Sequence, residues 1–285
     1  MSLIRRIIGK IVRSSIQSSP QIKHDFFWLL VECAKKDPDD FRQLLAGLKK
    51  ELGREYFSYP SVFNQGYLHI DRVTHLARCF KLDEKNCILD VGAADGITPE
   101  MFSKAFPESV VYAFEPIPST FQQLHNRVSA NKKIVSINKG LSSKEGQMTI
   151  HLASRITSSS LYEIEKNIAN KFFAENIKDA GSEQVSLSTL DREIPFGLNI
   201  NIFKMDVQGY ELEVLKGGHD TLKRTAIVLL EMQNHELYVG APKYFELDSY
   251  LRERGFELYD IIPSIRQDNK LYEWDSIYIN KNILK

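Results

Sequence analysis

The residues best suited to binding a cofactor stand where an apolar run gives way to small side chains. Asp90 ends the first such run, and Gly92 and Gly96 follow it. Small residues are needed where the backbone must come close to a ligand. A second apolar run, 110–114, leads to Glu115, about 25 residues past Asp90, which is the usual position of a carboxylate that accepts ribose hydroxyls. The pattern predicts a cofactor that contains adenosine.

The glycine spacing separates two classes of adenosine cofactor. A dinucleotide site requires G-x-G-x-x-G, but Ala94 and Ile97 occupy the second and third glycine positions. This argues against NAD and FAD. The spacing that remains, Asp90-x-Gly92-x-x-x-Gly96, resembles the first motif of class I S-adenosylmethionine methyltransferases, whose cofactor has no phosphate.

Further motifs extend this resemblance along the chain. The segments 114–118, 189–191 and 203–218 follow one another as they do in the FkbM-type methyltransferase family, and the similarity covers about residues 86–279. Gln208 and Tyr210 depart from the pattern, because family members usually carry Glu and Ala there. A role for position 208 is therefore not carried over from the family.

The resemblance implies S-adenosyl-L-methionine as the cofactor and transfer of its methyl group to an oxygen of a sugar, a glycan or a secondary metabolite. Asp90 is expected to order the glycine turn and the amino-acid tail, unless it only caps a helix. Glu115 is expected to hold the ribose, and Ile117 to lie against the adenine. The predicted cofactor-binding residues are Asp90, Gly92, Ala93, Ala94, Asp95, Gly96, Glu115, Pro116, Ile117, Leu141, Ser142 and Asp206.

Three residues near strand ends are candidates for catalysis: Asp206, Glu231 and His235. Asp206 is expected to steady the cofactor's ammonium, to act as a base or to bind a metal. A histidine titrates near neutrality, so His235 is a candidate base, with a solvated histidine at a helix start as the alternative. Asp206, Glu231 and Asn234 also offer oxygen ligands of the kind that magnesium accepts, so a divalent metal stays open and no metal ligand is assigned.

Alternating strand and helix patterns predict an α/β fold from residue 86 onward. We expect a Rossmann-like class I methyltransferase sheet that is mostly parallel, with seven strands and an antiparallel last strand. The predicted strands are 87–90, 110–115, 133–138, 200–206, 226–231, 256–262 and 275–280, and the last two are joined through residues 263–270. An insertion, 146–190, interrupts the alternation with two further strands, 148–152 and 185–188, and a helical pattern that reaches Ala180. Residues 86–285 are predicted to form the methyltransferase domain.

Residues 1–85 are predicted to form a helical extension. Its first segment, 1–18, carries an apolar stripe opposite Arg5, Arg6, Lys10 and Arg13, which indicates a basic amphipathic helix. Two interpretations stay open: peripheral contact with an anionic membrane, or packing onto the protomer or onto its neighbour in a homo-oligomer.

The amino-acid composition limits the binding partners and the cellular compartment that we expect. The 37 basic and 37 acidic residues balance, which gives no reason to expect a nucleic-acid partner. Three cysteines without metal spacing indicate reduced thiols and a cytoplasmic protein, with membrane association at the inner face left open. A small molecule or glycan is the expected acceptor.

Two alternative functions follow from the departures noted above. Gln208 and Tyr210 favour a catalytically silent S-adenosylmethionine-fold module that serves as a scaffold or assembly subunit. A nicotinamide-dependent oxidoreductase is a third hypothesis, which the missing glycines disfavour.

Overall fold

The structure is a computed structural model that describes residues 68–153, 160–162, 179–234, 238–267 and 270–284. The predicted amphipathic helix, 1–18, lies outside the described residues, as does His235. Most of the predicted helical pattern before Ala180 lies outside them as well. In the part of the chain that is described, no helix is long and apolar enough to span a membrane.

Strands and helices alternate from the first described residue. The helices are α1 (Leu68–Cys79), α2 (Ile97–Ala105), α3 (Pro118–Val128), α4 (Leu190–Glu193), α5 (Glu211–Lys216), α6 (His219–Lys223) and α7 (Tyr244–Arg252). The strands are β1 (Cys87–Val91), β2 (Val111–Phe114), β3 (Ile134–Ile137), β4 (Gly140–Leu141), β5 (Gly146–Ala153), β6 (Asp179–Ser188), β7 (Ile200–Met205), β8 (Thr225–Gln233), β9 (Phe256–Gln267) and β10 (Lys270–Asn280).

Seven strands form one sheet in the order β3-β2-β1-β7-β8-β10-β9. β1 pairs in parallel with β2 and β7, and β10 runs antiparallel to both of its neighbours. The predicted fold class, a mostly parallel class I methyltransferase sheet with an antiparallel last strand, is confirmed. The carboxyl ends of the parallel strands meet at one edge, where ligands bind in sheets of this kind.

One detail of the predicted hairpin is wrong. Residue Pro263, assigned to the connection between the last two strands, lies inside β9 opposite Trp274. The pairing shifts register beside this position, and β9 is the edge strand of the sheet. A proline is tolerated there because an edge strand can leave one side of its backbone without ladder hydrogen bonds.

The core lies on both faces of the sheet because successive strand residues point to opposite sides. Ile88, Ile202 and Ile227 pack on one face, together with Ile70 and Val73 of α1. On the other face, a second set packs with the insertion and with helices α4, α5 and α7, and it includes Leu89, Phe203, Leu230, Leu187, Leu190, Val214 and Leu251. α1, assigned above to the helical extension, thus shares a core with the sheet, while the domain boundary at residue 85 stays a prediction.

β5 and β6 of the insertion form a small second sheet with β4, in the order β4-β6-β5. Both additional strands predicted in it are present. β6 begins at Asp179, so the helical pattern cannot reach Ala180 as predicted, because Asp179 and Gly181 pair with Ala153 and Leu152 of β5.

Candidate functional site

An open cleft of about 710 Å³, partly continuous with solvent, lies at the carboxyl ends of β1, β2 and β7. Ile150, Ser160 and Leu161 of the insertion close one side. The other lining residues are Val91, Gly92, Ala94, Phe114, Glu115, Pro116, Ile117, Thr120, Lys139, Gly140, Leu141, Asp206, Val207, Gln208 and Tyr210.

The turn after β1 is shaped by left-handed backbone. Gly92, Ala94 and Gly96 have φ angles of 77°, 45° and 87°. Ala94 therefore adopts a conformation that favours glycine, although it carries a side chain. A Cβ on Gly92 would lie 1.9 Å from the carbonyl oxygen of Asp206, so glycine is required where the first turn passes the end of β7.

Asp90 acts on this turn through a lysine that sequence reasoning missed. The two side chains are almost fully buried, and Lys204 Nζ lies 2.9 Å from Asp90 Oδ1. The same ammonium donates a hydrogen bond of 3.0 Å to the carbonyl of Gly92. Burial opposes the charge of Lys204, but the nearby Asp90 and Asp206 carboxylates outweigh it and raise its pKa. The sequence did contain a signal for this contact, because Lys204 is a charged residue within the apolar run Ile200–Met205. Parallel pairing of β1 and β7 places Lys204 opposite Asp90.

Glu115 lines the cleft, as the ribose role requires. It is only 5% exposed, and its carboxylate accepts hydrogen bonds from the backbone amides of Ala94 (3.1 Å) and Ile117 (2.9 Å). Burial raises the pKa of Glu115 to about 7, even though both amides favour the charged form. The amides fix the carboxylate in place, and each of its oxygens keeps a lone pair for a donor in the cleft.

Asp206 is held on the other side of the cleft by a chain of side chains. Gln208 donates from Nε2 to Asp206 Oδ1 at 2.6 Å, and the Tyr238 hydroxyl donates to Gln208 Oε1. The backbone carbonyl of Gln208 accepts a hydrogen bond of 2.6 Å from Ser160 of the insertion. Gln208, one of the two departures from the family pattern, therefore orients Asp206.

Tyr210, the second departure, lines the cleft and is 7% exposed. Its hydroxyl lies 3.3 Å from Ser142 Oγ, and its ring lies 5.2 Å from that of Tyr162. The predicted cofactor residue Ser142 is thus a partner of Tyr210 and does not line the cleft.

The predicted cofactor residues divide into two groups. Those that line the cleft are Gly92, Ala94, Glu115, Pro116, Ile117, Leu141 and Asp206, and those that do not are Asp90, Ala93, Asp95, Gly96 and Ser142. Asp95 accepts a hydrogen bond from the Ile97 amide and contacts Arg127, while Gly96 is the N-cap residue of α2. Ala93 is buried, and its amide bonds to the carbonyl of Phe114. Asp90, Ala93, Asp95 and Gly96 belong to the end of β1 and to the turn after it, whereas Ser142 contacts Tyr210.

Glu231 lies outside the cleft lining, on β8, where it accepts a hydrogen bond of 2.7 Å from Gln233. Burial, and then the neighbouring carboxylates of Glu273 and Asp206, raise its pKa well above the ordinary value. His235 falls outside the described residues, so its part as a base stays a prediction. The described ranges contain no group of three or more His, Cys, Asp or Glu residues arranged to hold a metal ion.

The cleft lining combines polar groups with apolar side chains. Glu115 presents a carboxylate that backbone amides hold in place, and Ile117 adds an apolar side chain. The carboxylate of Asp206 lies in the same lining.

Residues 90–258 match the family described as "Methyltransferase FkbM domain", which is more than half of the chain. This chain belongs to the FkbM methyltransferase family. Membership confirms the resemblance noted in the sequence and associates the cleft with a family that uses S-adenosylmethionine.

Curated relatives of this FkbM family member match it over part of their length. One is the 2-O-methyltransferase NoeI of Sinorhizobium fredii, 26% identical over 54% of this chain and 65% of the relative. Another is the hexuronic acid methyltransferase AglP of Haloferax volcanii, 30% identical over 53% of this chain and 57% of the relative. The chain thus spans less than two thirds of either protein. Among solved structures, an rRNA methylase from Streptococcus thermophilus aligns with a TM-score of 0.43 and 13% identity, covering 77% of this chain and 98% of that one.

Proposed function

We propose that the chain is an S-adenosylmethionine-dependent O-methyltransferase that acts on a hydroxyl of a sugar, a glycan or a secondary metabolite. The observation that carries the proposal is the Glu115 carboxylate, fixed by two backbone amides in a cleft that it shares with Asp206. Family membership supports the cofactor, and the names of the relatives NoeI and AglP support a sugar oxygen as the acceptor.

Each part of the cleft has a separate task in this proposal. Glu115 accepts the ribose hydroxyls, and Ile117 and Leu141 cover the adenine. Asp206 faces the ammonium of the amino-acid tail, and Gln208 keeps that carboxylate in one orientation. The cofactor supplies an electrophilic methyl group, so the protein contributes alignment of the reactants and removal of a proton. Alignment lowers the activation barrier by up to about 7–11 kcal/mol in ideal cases.

Transfer of a labelled methyl group tests the proposal directly. The full chain is incubated with methyl-tritiated S-adenosylmethionine and a panel of neutral methyl glycosides, uronic acid glycosides and hydroxylated secondary metabolites. We expect label in at least one acceptor, and a large loss with Glu115→Ala. Glu108→Ala, which removes an exposed acid elsewhere on the domain, is the matched control.

The silent scaffold module is the second candidate, and the position of Tyr210 in the cleft lining favours it. It predicts that S-adenosylhomocysteine binds while no acceptor in the panel receives label. Binding of NAD in place of S-adenosylhomocysteine would instead support the oxidoreductase hypothesis.

A further inference from the structure

A histidine and an aspartate from distant parts of the chain approach one another where α1 lies near β10. His69 lies at the start of α1 and Asp275 lies on β10, and His69 Nδ1 is 3.4 Å from Asp275 Oδ2. This is a close polar contact and not a hydrogen bond, and catalytic groups often come into hydrogen-bonding geometry only when substrate binds. The two side chains keep 21% and 20% of their surface exposed, so a ligand can reach them.

Strand register locates this pair relative to the cofactor cleft. Asp275 pairs with Glu231 of β8, and Leu230 pairs with Met205, the residue before Asp206. Asp275 and Asp206 therefore stand at the same level on strands separated only by β8. Neighbouring strands are about 4.8 Å apart, so the two aspartates lie about 10 Å from one another across the sheet. Asp206 lines the cleft, so the pair lies about two strand spacings from a cleft residue, while His69 and Asp275 are not themselves part of the lining.

The surroundings of the pair keep the His69 imidazole neutral at pH 7, which is the form that can accept a proton. Burial, and then Lys204, lower the pKa of His69 to about 4, so the ring is neutral at pH 7 and the contact is not an ion pair. Asp206 acts in the opposite direction and favours the protonated ring. Asp275 is faced by Asp206, Glu273 and Lys204.

We infer that His69 is the general base that takes the proton of the acceptor hydroxyl, and that Asp275 is the positioning residue that holds its ring. The inference rests on the proposed function. In the reacting complex Nδ1–H donates to Asp275, so the lone pair of Nε2 is free to accept the proton. The hydroxyl oxygen forms a bond to the methyl carbon while its proton moves to Nε2. The carbon–sulfur bond breaks, and its electron pair stays on the sulfur of S-adenosylhomocysteine.

Kinetics of three variants, measured on an acceptor that the wild-type chain labels, test this role. His69→Gln is expected to lower kcat by about 100-fold or more, because a general base contributes about 10²–10⁴ in rate. Asp275→Asn is expected to lower kcat by about tenfold, with KM for S-adenosylmethionine unchanged in both variants. His75→Gln is the control, since His75 lies on the same helix with its ring against the thiol of Cys79.

A spectroscopic measurement keeps the test decisive if a variant fails to fold. Nitrogen NMR of the histidine-labelled wild-type chain with S-adenosylhomocysteine bound should show His69 neutral at pH 7, with the proton on Nδ1. Asp275→Asn should shift that tautomer balance. A proton on Nε2 would overturn the inference about His69, and so would a wild-type kcat in His69→Gln. Neither result would affect the proposed function. A wild-type chain that labels no acceptor would instead overturn the proposed function.

Discussion

At the scale of single residues, Glu115 couples cofactor binding to pH. Burial raises its pKa to about 7, and ribose hydroxyls donate to the charged form of the carboxylate. We expect affinity for S-adenosylhomocysteine to rise about tenfold between pH 6 and pH 8, as the fraction of ionised Glu115 rises. Calorimetric titration across this range measures the effect. Glu115→Gln should flatten the dependence, and an affinity that falls toward pH 8 would be incompatible with the ribose role.

A second prediction at the scale of residues concerns the buried pair of Asp90 and Lys204. Lys204→Met leaves the fully buried Asp90 without its cation, which is expected to lower the free energy of unfolding by about 3–5 kcal/mol. The double variant Asp90→Leu with Lys204→Met removes both charges and should recover most of that loss. Urea denaturation of the two variants provides the comparison. Equal losses in the single and double variants would show that the pair is not coupled.

At the scale of elements, the turn after β1 is fixed by a backbone contact rather than by its ligand. Gly92→Ala would place a Cβ against the Asp206 carbonyl and would also strain a φ of 77°. We expect it to lower the free energy of unfolding by at least about 3 kcal/mol, even without ligand.

Gly197→Ala is the matched control for the turn. Gly197 has a φ of 89°, but nothing lies within 4 Å of the added Cβ. It should therefore cost only the left-handed backbone penalty of about 1–2 kcal/mol. Thermal denaturation of both proteins compares them, and equal losses would mean that the contact with β7 is unimportant.

The elements also show what a sequence can and cannot predict. The order of strands along the chain follows from the apolar runs, and the position of Glu115 after β2 follows from a short local spacing. Both were therefore predictable. The contacts of Asp90 with Lys204 and of His69 with Asp275 depend on register between strands and on helix packing, which no local pattern encodes. The pairing of Ser142 with Tyr210 was hidden for the same reason, since 68 residues separate them.

For the molecule as a whole, buried carboxyl groups set the pH dependence of stability. Burial raises the pKa of Glu115, Glu211 and Asp275 to about 7, well above the values of unfolded chains. Between pH 8 and pH 6.5 the folded state therefore binds more protons than the unfolded state. The free energy of unfolding should rise as the pH is lowered across this window, by about 1–2 kcal/mol in the absence of ligand.

His69 limits this gain at lower pH. Burial lowers the pKa of His69 to about 4. Below pH 6.5 this histidine therefore binds a proton in the unfolded state but not in the folded state. Denaturant titrations at pH 8, 7 and 6.5 test the prediction above this limit. A free energy of unfolding that decreases from pH 8 to pH 6.5 would contradict the burial of these carboxyl groups.

The most direct test of the central claim is a calorimetric titration of the full chain with S-adenosylhomocysteine, beside NAD. The cleft around Glu115 predicts that S-adenosylhomocysteine binds and NAD does not. Glu115→Ala should weaken binding by about 1.5–3 kcal/mol through loss of charged hydrogen bonds, while Glu108→Ala should leave it unchanged. Absence of S-adenosylhomocysteine binding to the wild-type chain, or unchanged affinity in Glu115→Ala, would contradict the assignment of this cleft as the cofactor site.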